Sequence, residues 1–162
     1  HRVDRRQRQM CIRDSYYWDL LIKDQDEAAS IRVFGDHNHP TYGDALEQYY
    51  QQGAPADWPT RFISAYAAMH PWEDFAETFA FYLDMVAVLD TALHMGLSRA
   101  EYDGSLESML QAFHQVGLTV NELNRDMGLL DLAPGVLAPA VHEKLAYLHD
   151  LIQRANASPK TA

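Results

Sequence analysis

The segment Arg61–Asp90, RFISAYAAMHPWEDFAETFAFYLDMVAVLD, leaves this chain little choice of fold. From Pro71 onward it reads as one long helix. Proline suits a first helical position, because the N–H it lacks has no partner there. Phe75, Phe79, Tyr82, Val86 and Leu89 recur at helical spacing and mark a core face. The spacing predicts a helix from Trp72 to about Met95, stopped by Gly96. Glu73, Asp74 and Glu77 fall in its first turns, where the positive end of the helix dipole favours carboxylates. Glu73, Glu77 and Ala80 share a second face. Two acids on so apolar a helix need an explanation, because a buried carboxylate requires a cation, a metal or hydrogen-bond donors.

The rest of the chain is helical by the same criteria. Tyr16 to Lys23 carries Trp18, Leu21 and Ile22 as inward residues, and Glu27 to Phe34 reads as a short second helix. Gly35-Asp36-His37-Asn38-His39-Pro40 reads as an exposed turn with incidental histidines; His37 and His39 have no third ligand at metal-site spacing. Tyr42 to Gln52 is a helix with Ala45, Leu46 and Tyr49 on one side. Asp57 is placed to cap a further helix, roughly Trp58 to Ala68, that carries Tyr66 near its end. His70, three residues before Glu73, reads as a capping group or as one that supports a neighbouring ligand.

Ser98 to Gly104 is a connector in which Ser98 and Glu101 can form a capping box. Ser105 to Met127 reads as helical, with Gly117 as a possible break and Gly128 as the cap. Arg125 reads as one side of a structural ion pair. Leu129 to Pro139 is a loop, and a last helix runs from Pro139 to about Ala155. His142 and His149 are packing or surface groups. The fold class expected is all-α, with about six or seven helices around the long central one. Residues 16–157 form the domain and residues 158–162 a tail.

Composition bounds the function. Hydrophobic content of 48% with 11% aromatics supports a packed core rather than disorder. One cysteine excludes an internal disulfide framework and a zinc ribbon within these residues. The net charge of −10 argues against a nucleic-acid partner, and no apolar run suggests a membrane span. Nothing reads as a secretory signal, and the expected location is cytoplasmic. Residues 1–15, HRVDRRQRQMCIRDS, hold five arginines and two acids, whereas the remainder carries a net −13. This opening reads as a disordered basic arm or a non-native segment, and it resembles translated read-through of a sequencing adapter.

Several stretches together resemble a known family. They are Tyr16-Tyr17-Trp18-Asp19, Phe34-Gly35-Asp36, Pro55-Ala56-Asp57-Trp58, Arg61 through Leu83, Leu123 through Leu129, Pro139-Ala140-Val141 and Glu143-Lys144-Leu145. In order and spacing they resemble bacterial zinc-binding metallopeptidases of gluzincin type that carry an N-terminal zinc ribbon. The resemblance implies the C-terminal part of a zincin-like catalytic domain that hydrolyses a peptide or protein substrate with zinc. It implies Glu73 as third zinc ligand and Tyr66 as donor to the developing oxyanion. It places Glu77 and His70 behind them, supporting the ligands. Read from the residues alone, Tyr66 is a core tyrosine, and Glu73 and Glu77 are an acidic first turn serving the dipole.

In that family the residues just before Tyr16 are HExxH, which supplies two histidine ligands and the general-base glutamate. Here those positions are Cys11-Ile12-Arg13-Asp14-Ser15. The chain as written is therefore predicted to be an inactive C-terminal fragment that does not retain zinc. The alternative expectation is a non-catalytic helical domain that binds a protein or peptide.

Overall fold

A computed structural model describes residues 16–97 and 103–157. The arm before Tyr16, the Ser98–Glu101 capping box and the tail after Ala157 lie outside the described residues. Those residues form helices and loops without a strand. The helices are α1 (16–21), α2 (Glu27–Phe34), α3 (Tyr42–Gln52), α4 (Pro71–His94), α5 (Leu106–Asp126) and α6 (Pro139–Ala157). The all-α expectation holds. The chain divides into two compact units, His1–Phe81 with Ala138–Ala162, and Tyr82–Leu137. Helix α4 contributes residues to both.

The first unit is built on aromatic packing around the start of α4. Phe75 stacks on Phe79 at 5.6 Å and meets the edges of Trp18 at 5.2 Å and Phe34 at 5.7 Å. Offset and edge-on contacts of this kind suit the quadrupoles of the rings. Ile22, Val141, Leu145 and Leu148 are also buried. Helix α2 is fastened to α6 by Asp26, whose Oδ2 accepts from Tyr147 Oη at 3.1 Å and from Arg154 at 2.7 Å. The entry to α4 follows the sequence logic. Pro71 opens the helix, and the His70 ring caps it, its Nδ1 accepting the Trp72 N–H at 3.1 Å.

The second unit holds the rest of α4, α5 and the loop after it. Tyr82, Met85, Leu89 and Ala92 are buried on α4; Leu106, Met109, Phe113 and Val116 are buried on α5. Both helices end in the same device. After α4, Leu97 N–H reaches the Ala92 carbonyl and Gly96 N–H the Leu93 carbonyl, with Gly96 at φ +69°. After α5, Leu129 N–H reaches Asn124 and Gly128 N–H reaches Arg125, with Gly128 at φ +71°. Glycine reaches this left-handed geometry without a Cβ clash, and the two bonds satisfy otherwise orphaned carbonyls.

Four local expectations need correction. Residues 58–68 do not form one helix; they form two short 3₁₀ turns, Trp58–Thr60 and Ala67–Met69. Local side-chain bonds compete with the helix here, since Thr60 Oγ1 donates to the Asp57 carbonyl and Ser64 Oγ accepts the Ala67 N–H. Asp57 precedes the first turn but makes no side-chain cap bond. Gly117 does not break α5, which is continuous. A Cβ there would lie 2.6 Å from the Ala133 Cβ, so the missing side chain serves close packing. His37 is not an exposed loop residue. It is buried, stacks on Trp72 at 5.8 Å, meets the edge of Trp18 and pairs with Glu27 at 3.1 Å.

Candidate functional site

The face of α4 that carries Glu73 meets α3 within the first unit. Thr41 caps α3 by accepting the Asp44 N–H, which sets Tyr42 at the helix start. From there Tyr42 Oη donates to Glu73 Oε1 at 2.7 Å. Glu73 is 6% exposed, so this bond meets part of the demand for donors that burial creates. The Tyr42 phenol is held well above its ordinary value. Burial is the main cause, followed by hydrogen bonding to Glu73 and to Tyr66. A neutral phenol donor beside the carboxylate is the state this arrangement favours.

The four residues singled out from the sequence are placed as follows. Glu73 lies at the centre, buried, on the first turn of α4. Tyr66, half-buried in the segment before α4, is a second hydrogen-bonding neighbour of Tyr42 and meets the Tyr49 ring edge-on at 5.7 Å. His70 is buried, with its ring 5.3 Å from Tyr42 and 5.3 Å from Trp72. Burial lowers its pKa, and the backbones of Pro40 and His37 offset part of that. Its Nε2 nevertheless lacks an aligned hydrogen-bond partner. Glu77 is pushed upward by burial and held back by a hydrogen bond from Ser64. The structure thus brings Tyr66, His70 and Glu73 together around Tyr42, while Glu77 engages Ser64.

Two participants escaped the sequence reading. Tyr42 carried no local signal beyond its place at a helix start; only the approach of α3 to α4 gives it a partner. The other is Lys144, on α6. Its Nζ lies 2.6 Å from Asp74 Oδ2, donates to the Arg61 carbonyl at 2.7 Å and sits 4.3 Å from the centre of the Phe62 ring. The contact with Asp74 is an ion pair rather than an aligned hydrogen bond. A signal did exist for Lys144: Val141, Lys144, Leu145 and Leu148 share one helical face, so a lysine interrupts an apolar stripe.

The donor set can be tested for zinc. Among the described residues no group of three or more His, Cys, Asp or Glu side chains is placed to hold a metal ion. Glu73 supplies one carboxylate and His70 uses Nδ1 to cap α4. A tetrahedral zinc site needs three or four protein ligands. The described residues therefore do not form a zinc site by themselves. Among them, too, no helix is long and apolar enough to cross a membrane.

Comparison with known proteins adds the context. Residues 13–151 match the family described as "Putative zinc-binding metallo-peptidase". Three uncharacterized mycobacterial proteins, one from Mycobacterium bovis and two from strains of Mycobacterium tuberculosis, are each 35% identical over 146 residues. The alignment covers 85% of this chain but 42% of each relative, so the chain spans less than half the length of these relatives. No solved structure matches the chain significantly.

Proposed function

This chain belongs to that zinc-binding metallopeptidase family, and from this premise we propose that it is the helical part of a gluzincin-type peptidase that follows the HExxH motif. The parent protein hydrolyses peptide bonds with zinc. This chain as written offers one ligand and is catalytically silent. The observation that carries the reading is the buried Glu73 carboxylate, aligned by Tyr42 Oη at 2.7 Å with Tyr66 beside the same phenol. An acidic first turn that served only the helix dipole would not need a buried carboxylate with its own phenol donor, because an exposed carboxylate at a helix start already gains the dipole's stabilisation without the cost of desolvation. In the parent, Glu73 is the ligand and Tyr66 the hydroxyl donor that faces substrate. His70 and Tyr42 hold the carboxylate and its neighbours in place, and Glu77 lies one turn behind.

The test is restoration. Cys11→His, Ile12→Glu and Ser15→His together rebuild HExxH immediately before Tyr16. After dialysis, zinc is counted by mass spectrometry in the original chain, in this triple variant and in the triple variant carrying Glu73→Gln. The expected result is no zinc in the original, one zinc per chain in the triple variant, and an affinity lower by about tenfold or more with Gln at position 73. Zinc retained by the original chain contradicts the reading. So does a triple variant that binds no zinc, or one indifferent to Glu73→Gln.

A further inference from the structure

The loop after α5 is held in an unusual way. Asn121, buried on α5, donates from Nδ2 to the Ala133 carbonyl at 2.8 Å. Its Oδ1 accepts the N–H groups of Leu132 at 2.7 Å and Ala133 at 3.1 Å. Asn124 donates to the Leu130 carbonyl at 2.9 Å. Arg125 grips Asp131 with both Nε and Nη2, at 2.9 and 2.6 Å. The backbone is thus tied down along 130–133, and Ala133 packs where Gly117 has no side chain.

The aliphatic side chains of this same stretch stay in water. Leu130 is 91% exposed and Val136 88%, with Leu123, Met127, Leu129 and Leu132 more than half exposed. Isolated exposed leucines are ordinary, but a run of them on one pinned segment marks an interaction surface. A loop already ordered loses little conformational entropy on binding, which favours recognition.

The charge around the patch selects its partner. Along 121–137, Glu122, Asp126 and Asp131 stand against Arg125 as the one basic side chain, a net charge of −2. Arg125 is engaged by both Glu122 and Asp131. This negative excess disfavours an anionic bilayer and a nucleic-acid backbone and favours basic groups. We propose that the loop 127–137, with the end of α5, docks a basic amphipathic segment of a protein, whose aliphatic side chains cover Leu130 and Val136 while its lysines or arginines meet the carboxylates of Glu122, Asp126 and Asp131.

The probe is a synthetic leucine–lysine amphipathic helix, labelled with fluorescein and titrated with the purified chain. A second peptide keeps the lysines and replaces the leucines with serines. The expected result is saturable binding of the first peptide, with amide shift changes confined to residues 123–136. Leu130→Ser/Val136→Ser should weaken that binding by about tenfold or more, since both side chains would otherwise be buried by the peptide. These two side chains are nearly fully exposed, so the variant should keep the parent's melting temperature. Equal binding of the serine–lysine peptide overturns the proposal, because charge alone then suffices. Unchanged binding by the double variant overturns it as well. A concentration-dependent dimer that the double variant abolishes assigns the patch to a second copy instead, and binding to phosphatidylserine vesicles assigns it to a membrane.

Discussion

Lys144 Nζ lies 2.6 Å from Asp74 Oδ2, yet burial outweighs the lysine's attraction and pushes the Asp74 carboxyl up to about 6. The attraction of Lys144 and the hydrogen bond from Thr78 only reduce the displacement. This is the expected balance for a buried ion pair, where desolvation of both charges rivals their attraction.

The sign of the pH dependence follows from that balance. Asp74 binds its proton more tightly folded than unfolded, so its contribution to stability is fully present below its ordinary value of 3.8 and lost as pH rises through about 6. The displacement corresponds to roughly 3 kcal/mol. Compared with Asp74→Asn, which cannot titrate, the original chain should gain about 2–3 kcal/mol of relative stability between pH 7 and pH 4. Urea melts of both proteins at the two pH values measure this. A difference that does not change with pH contradicts it.

Removing one partner of the pair should be worse than removing both. Asp74→Leu leaves Lys144 buried with only the Arg61 carbonyl and the Phe62 ring, and should cost about 3–5 kcal/mol. The double change Asp74→Leu/Lys144→Met should recover most of that loss, because no buried charge remains. A double-mutant cycle in denaturant reads the coupling; additive losses would argue against a shared desolvation penalty.

Tyr42→Phe deletes the hydroxyl that donates to Glu73 while keeping the ring against His70 and Trp72. The loss should be about 1–3 kcal/mol, the range for a hydrogen bond to a charged, buried acceptor. Tyr50→Phe, on an exposed ring, is the control and should change stability little. Equal melting temperatures for the two variants would mean that the Tyr42–Glu73 bond contributes nothing.

Gly117→Ala ought to stabilise an α-helix by roughly 1 kcal/mol if propensity alone decided. Here the added Cβ meets the Ala133 Cβ at 2.6 Å, a distance atoms do not adopt. The substitution should therefore destabilise the second unit by about 1–3 kcal/mol, as overpacking does. Gly117→Ala combined with Ala133→Gly should restore most of the loss, and failure of that rescue would locate the clash elsewhere.

Asn121→Ala should release the loop. It leaves the Ala133 N–H and carbonyl without their side-chain partner and should cost roughly 2–4 kcal/mol. Hydrogen exchange at the Ala133 amide should accelerate more than exchange in the middle of α5. Uniform acceleration would mean that the loop and helix open together.

Much of the architecture was readable before any coordinates. Pro71 at a helix start, the apolar repeat from Phe75 to Leu89 and the stop at Gly96 are local facts of spacing and backbone freedom, and α4 follows them closely. The same holds for α3, for α6 and for Gly128 closing α5. These features depend on residues three or four apart, which a chain places together however the rest folds. Where bonding was local but of another kind, as in residues 58–68, periodicity alone misled.

The candidate site divides along the same line. That Glu73 would be buried could be inferred from the apolar helix around it; that Tyr42, 31 residues earlier, would supply its donor could not. Lys144 reaches the Arg61 carbonyl across 83 positions, and Gly117 is dictated by Ala133 rather than by the helix it sits in. Helix identity and core face came from sequence, because near-neighbour sterics and burial decide them. The pairing of each buried polar group came only from tertiary structure, because desolvation demands a partner without specifying where along the chain it must lie.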